Sequence, residues 1–139
     1  MIDLCRKINH PIILLGGKED FTEGEAVRNA IGTDSVFNAC GKYNFNQSAS
    51  IIEMAKIVFT HDTGLMHVAA AFKKRIYSIW GNTVPGFGMY PYQTSFEIIE
   101  NNHLPCRPCS KIGYKKCPKK HFKCMNELSF DFDINELTV

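Results

Sequence analysis

The run Ile57-Val58-Phe59-Thr60-His61-Asp62-Thr63-Gly64-Leu65-Met66-His67-Val68-Ala69-Ala70-Ala71-Phe72 decides the fold. It is apolar, breaks at Asp-Thr-Gly and resumes with helical spacing, so it reads as a buried strand, a tight turn and a helix start. Such a turn offers backbone N–H groups and the positive end of a helix dipole, which is what an anion requires. Leu65, Val68, Ala69 and Phe72 recur at helical steps and predict the packed face, while small Ala70 and Ala71 allow close approach. Asp62 is the expected N-cap. Gly64 has no Cβ, so a phosphate can approach the backbone there, and Thr63 adds a hydroxyl. The pattern also suits an ordinary capped helix, and a capping carboxylate would occupy amides that a phosphate needs. Asp62 is therefore also placed against a sugar hydroxyl.

Outward from this turn the period alternates between strand and helix. Pro11 to Leu15 is a short β-branched run ending at Gly16-Gly17, and Phe21 to Ile31 follows as a helix closed by Gly32. Val36 to Ala39 reads as a second strand, Ser48 to Lys56 as a helix, Ile57 to Thr60 as a third strand, Arg75 to Trp80 as a fourth and Phe96 to Ile99 as a fifth. Met1 to Asn9 reads as a helix before the first strand. Strands that are apolar throughout, alternating with helices, predict a Rossmann-like α/β domain with one parallel sheet covered on both faces. Its ligands bind at the carboxyl ends of the strands. Those ends carry Gly16-Gly17-Lys18-Glu19-Asp20, Cys40-Gly41-Lys42, the Asp-Thr-Gly turn and Gly81-Asn82-Thr83.

With 139 residues, 45% of them hydrophobic, the chain can bury one modest core. A formal charge of +2 does not argue for nucleic acid, but its distribution is uneven. Arg107, Lys111, Lys115, Lys116, Lys119, Lys120 and Lys123 lie between His103 and Cys124 without an acidic residue, whereas Glu127, Asp131, Asp133 and Glu136 follow. No apolar run approaches the ~18 residues of a membrane span, and no signal-peptide pattern opens the chain. The expectation is a cytoplasmic protein, with association at the inner face of the membrane left open.

Leu-Leu-Gly-Gly-Lys-Glu-Asp at 14–20, Cys-Gly-Lys at 40–42, His-Asp-Thr-Gly-Leu-Met-His-Val-Ala-Ala-Ala at 61–71 and Ile-Trp-Gly-Asn-Thr-Val-Pro-Gly-Phe-Gly-Met-Tyr-Pro-Tyr at 79–92 together resemble glycosyltransferase family nine, the bacterial ADP-heptose:lipopolysaccharide heptosyltransferases. The resemblance implies a GT-B architecture, of which this chain matches the C-terminal, donor-binding half. It implies a transferase that passes a sugar from an ADP-sugar to a lipid-linked saccharide and needs no metal or other cofactor for the transfer. By the same resemblance the amides of Thr63, Gly64 and Leu65 hold the diphosphate, Asp62 touches the sugar, Glu19 or Asp20 binds the ribose hydroxyls, and Lys42 and Tyr43 lie where adenine packs. His67 is expected as a structural or phosphate-near histidine rather than as a metal partner of His61. The family's acceptor-side domain, with its proposed general base, has no counterpart in these residues. The chain is therefore expected to be a fragment or truncated copy that meets the lipid-linked acceptor through an absent N-terminal domain, and no catalytic residue is assigned within it.

The expected organisation is a nucleotide-sugar-binding domain over 1–102 and a Cys/Lys-rich loop with C-terminal tail over 103–139, packed on the same domain. Cys106, Cys109, Cys117 and Cys124 form C-x2-C-x7-C-x6-C. Their clustering suits a structural zinc, but the second pair lacks the zinc-ribbon spacing, so free thiols and disulfides stay open beside it. A second reading of the chain is a stand-alone nucleotide-binding module whose basic Cys-rich element contacts RNA or anionic lipid.

Overall fold

The computed structural model describes residues 1–132, so the part of the acidic tail that carries Asp133 and Glu136 lies outside the described residues. The elements follow the expected alternation: α1 (Ile2–Lys7), β1 (Ile12–Leu14), α2 (Phe21–Ile31), β2 (Val36–Asn38), α3 (Phe45–Met54), β3 (Ile57–His61), α4 (Gly64–Ala71), β4 (Arg75–Trp80), β5 (Phe96–Glu100) and α5 (Lys123–Asn126). Short 3-10 turns occupy Lys18–Asp20 and Pro85–Phe87. Among the described residues the strand pairings are parallel, in two ladders rather than the single expected sheet: β1 with β2, and β3-β4-β5. The chain divides into two compact units within α3, Met1–Ile51 and Ile52–Asp131.

In the first unit each strand is only three residues long. Beyond them the backbone turns to loop partners, Ala39 N–H donating to Leu14 O at 2.9 Å and Gly41 N–H to Gly16 O at 3.0 Å. One face of this ribbon is open. Ile13 and Phe37, register partners in the ladder, are 49% and 47% exposed. Lys42 partly shields the Phe37 ring, its Nζ lying 4.6 Å from the centroid. α2 ends as its sequence dictates, with Gly32 in the left-handed region at φ 71° and its N–H bonded to Arg28 O.

α3 begins three residues before the expected Ser48. Asn44 and Gln47 cap each other reciprocally, Asn44 N–H to Gln47 Oε1 at 3.0 Å and Gln47 N–H to Asn44 Oδ1 at 2.9 Å. That is a capping box written with amides.

In the second unit β4 is the core. Ile76, Tyr77, Ser78, Ile79 and Trp80 are all buried, which requires both faces of the strand to be covered. α4 packs on β3 and β4. Its buried residues are Met66, Ala69 and Ala70; of the expected Leu65, Val68, Ala69 and Phe72 face only Ala69 is buried, Leu65 and Val68 are half-buried and Phe72 is exposed, so the buried stripe is turned toward Met66 and Ala70. The shift has a chemical reason. Trp80 Nε1–H donates to Ser78 Oγ at 2.7 Å, and that hydroxyl meets Met66 Sδ at 3.4 Å, so Met66 satisfies a buried polar pair that no leucine could serve. Phe59 stacks on Tyr77 with centroids 4.7 Å apart.

Candidate functional site

At the carboxyl end of β3 the chain turns through Asp62 and Thr63 into α4. Thr63, not the expected Asp62, is the N-cap, with extended backbone at φ −143° and no side-chain cap bond. Its hydroxyl lies 3.4 Å from that of Thr60 instead, while Thr63 O accepts from Met66 N–H at 3.1 Å. The first amides of α4 are thus left without a capping side chain, which removes the competition that a capping Asp62 would have posed. A Cβ built on Gly64 meets nothing within 4 Å. Thr63 and Gly64 are exposed, Asp62 and Leu65 half-buried, and His67 is exposed on the helix. The turn therefore has bare donors, a dipole end and room in front of them. It lies wholly within the second unit.

Glu19, Asp20, Lys42 and Tyr43 lie in the first unit, at the ends of β1 and β2. Asp20 Oδ2 accepts from Gly17 N–H at 2.8 Å and Asp20 N–H donates to Gly17 O at 3.2 Å, so this carboxylate is spent on its own turn. Glu19 curls over Gly17, where any Cβ would collide with its carboxylate. The two loops touch at Gly41, whose φ of 69° needs glycine and whose Cβ would fall 2.8 Å from Lys18 Cα. Lys42 follows it, and Tyr43 is exposed.

Sequence reasoning missed the residue that holds these loops. Asn38, buried at the end of β2, donates from Nδ2 to Phe21 O at 3.0 Å and to Glu25 Oε1 at 2.9 Å, and accepts from Cys40 N–H at 3.1 Å. It explains Gly24, a glycine inside a helix, because a Cβ there would strike the Asn38 amide. The signal was available: a lone amide closing an apolar run, opposite a mid-helix glycine.

The Cys-rich segment of the second unit is anchored by Arg107, which the sequence counts among the basic run. Its side chain is 3% exposed. The guanidinium donates to Gly81 O, to Asn101 O at 2.7 Å, to Thr83 O at 2.9 Å and to Glu100 Oε2 at 2.8 Å. Asn82 supplies a second hold, its carbonyl accepting from Cys109 N–H and its Nδ2 donating to Tyr114 O, both at 2.9 Å.

All six cysteines are free thiols. Cys106 Sγ lies 3.8 Å from His121 Nε2; the ring's Nδ1 accepts from Lys123 N–H, which leaves the proton of the neutral ring on Nε2. Cys109 turns its thiol to Cys106 O. The N–H of Phe122 on Cys117 Sγ lowers that thiol's pKa, whereas burial raises those of Cys109 and Cys124. The structural zinc that the cysteine spacing left open has no preformed site: among the described residues no three His, Cys, Asp or Glu side chains are grouped to hold a metal ion. Among them, too, no helix is long and apolar enough to cross a membrane.

Parallel strands alternating with helices, whose carboxyl ends carry an uncapped helix start and glycine-rich loops, define a Rossmann-like α/β chain. The family model for glycosyltransferase family 9 (heptosyltransferase) matches residues 1–121, and the chain belongs to that family. It is 29% identical over 109 residues to lipooligosaccharide heptosyltransferase 2 of Haemophilus influenzae, a match covering 75% of this chain and 32% of that one. It is 30% identical over 81 residues to lipopolysaccharide heptosyltransferase 2 of Escherichia coli, covering 56% and 23%. The solved ADP-heptose LPS heptosyltransferase II of E. coli has the same fold over 99% of this chain and 40% of its own, with a TM-score of 0.65 at 22% identity. A family 9 glycosyltransferase structure from Veillonella parvula matches 62% of the chain with a TM-score of 0.57 at 26% identity. The chain spans about a third of the length of the first curated relatives it matches.

Proposed function

We propose that this chain supplies the donor-binding part of a glycosyltransferase that passes a heptose or related sugar from an ADP-sugar to a lipopolysaccharide core or similar lipid-linked saccharide. The observation that carries the reading is the start of α4: in a chain of this family, the turn is uncapped and has open space at Gly64. The diphosphate is assigned to the amides of Thr63, Gly64 and Leu65. Their partial charges and the helix end neutralise a diphosphate without a metal ion. Asp62 and His67 flank the same turn and are assigned to the sugar and the phosphate edge.

The nucleoside is assigned to the loops of the first unit on the family resemblance. Because Asp20 already satisfies Gly17 N–H, Glu19 is the better acceptor for the ribose hydroxyls. Tyr43, exposed, offers an aromatic face for adenine, with Lys42 beside it in sequence.

Calorimetric titration with ADP tests the assignment. Gly64→Val places a side chain where no protein atom lies within 4 Å, so the fold tolerates it while the phosphate space is filled. The expected result is an unchanged melting temperature and at least a ~10-fold loss of ADP affinity, about the worth of one charge-assisted hydrogen bond. Parent-like binding of ADP by this variant would falsify the placement of the diphosphate. Glu19→Gln tests the ribose separately, and should weaken ADP without affecting binding of inorganic pyrophosphate.

A further inference from the structure

The basic run of the second unit separates into two kinds of cation. Arg107 is buried in a hydrogen-bond network, and Lys123 pairs with Glu127 at 3.5 Å. Lys111, Lys115, Lys116, Lys119 and Lys120 are exposed, and among the described residues none of them pairs with a carboxylate. No acidic residue occurs between Glu100 and Glu127 to supply one.

Among these cations stand large apolar side chains in water. Ile112 is 89% exposed, Tyr114 54% and Phe122 45%. They are held there. Gly113 reverses the chain at φ 76°, and a Cβ on it would fall 2.7 Å from Asn82 Oδ1, the side chain whose Nδ2 grips Tyr114 O. An open cleft of about 600 Å³ beside this tip is lined by Lys115, Lys116, Cys117, Pro118, Lys120 and Phe122.

We infer that the segment from Lys111 to Phe122 is an interfacial element that docks on an anionic bilayer, Ile112 and Tyr114 entering the headgroup region while the five lysines contact lipid phosphates. An aliphatic tip ringed by unpaired cations is the surface such a bilayer complements, with apolar area for the acyl boundary and charge for the headgroups. Single-stranded RNA is the weaker fit. Its bases are held by stacking, and the most exposed apolar residue here is an isoleucine, which has no stacking face. The inference makes no use of the donor site, and its vesicle assay contains neither ADP nor an ADP-sugar, so either can fail alone.

The test is co-sedimentation of the chain with vesicles of phosphatidylglycerol and phosphatidylethanolamine, against pure phosphatidylcholine, over a range of salt. Binding to the anionic vesicles alone, weakening as salt rises, is expected. At about fivefold per lysine, the double variant Lys115→Gln/Lys116→Gln should bind about 25-fold more weakly. Ile112→Asp should abolish binding, whereas Met54→Asp, altering an apolar side chain 77% exposed elsewhere, should leave it intact. No binding to anionic vesicles at low salt would overturn the inference. So would equal binding to phosphatidylcholine, indifference to the Lys115, Lys116 and Ile112 variants, or tighter binding to single-stranded RNA than to vesicles.

Discussion

The two units solve one problem with different chemistry. In each, a polar side chain near the end of a strand ladder is buried to fix the loops that follow. The first unit uses the neutral amide of Asn38, with three hydrogen bonds to Phe21 O, Glu25 and Cys40 N–H. The second uses the guanidinium of Arg107, bonded to backbone carbonyls of Gly81, Thr83 and Asn101 and to the carboxylate of Glu100. A buried amide left without partners costs about 1–3 kcal/mol, whereas breaking a buried ion pair costs about 3–5 kcal/mol. Of the two, the charged clamp is therefore the costlier to break. The comparison ranks the substitutions that would test it.

Arg107→Ala should give the largest loss. It strands Glu100 without its cation and several carbonyls without donors, so about 3–5 kcal/mol is expected from urea unfolding. Arg107→Lys should lose part of that, since an ammonium cannot reproduce the planar fork. If Arg107→Ala costs no more than a surface change, the segment after β5 is held by something else, and the contrast between the clamps collapses.

Asn38→Ala should cost less, about 1–3 kcal/mol, and it has a diagnostic companion. Gly24→Ala in an ordinary helix interior would stabilise by about 1 kcal/mol. Here it should destabilise, because the new methyl meets the Asn38 amide. In the Asn38→Ala background the same substitution should recover its ordinary favourable sign. Additive effects in the double variant would show that the glycine is not there to seat the asparagine.

This comparison also shows what was legible in the sequence. α2 was readable to its last residue because helical period and a closing glycine agree, and β4 because apolar β-branched and aromatic residues fill it. The Asp-Thr-Gly turn was readable as a helix start, since a strand-like run gave way to helical spacing within a few residues. Its cap was not: Asp62 and Thr63 are both good N-caps, and backbone conformation rather than residue type chose between them. Buried polar clamps were illegible for a related reason. Arg107 looks in sequence like its lysine neighbours, and what distinguishes it is the carbonyls of Trp80 and Thr83 at and after the end of β4, more than twenty residues back along the chain, together with that of Asn101 after β5. The start of α3 was legible and missed, its amide capping box standing at Asn44 and Gln47.

The smallest expected effect separates the clamps by pH. The Asn38 amide, seconded by Arg28, holds the Glu25 pKa below the ordinary carboxylate range. A carboxylate whose folded pKa is depressed contributes stability that is fully present above its unfolded pKa, about 4.3, and is lost as pH falls through the lower folded value. Protonation removes the charge that strengthens the Asn38–Glu25 hydrogen bond, so the wild type gives up in acid something that Asn38→Ala never had. The stability gap between the two should therefore be wider at neutral pH than at the acid end of the carboxylate range. Glu25→Gln, which keeps an acceptor but cannot titrate, should leave only a gap that does not change across that range. Unfolding curves at several pH values would decide it. A gap that stays constant from neutral to acid in the Glu25 parent would mean that the amide clamp holds α2 through Phe21 O alone, with the carboxylate a bystander.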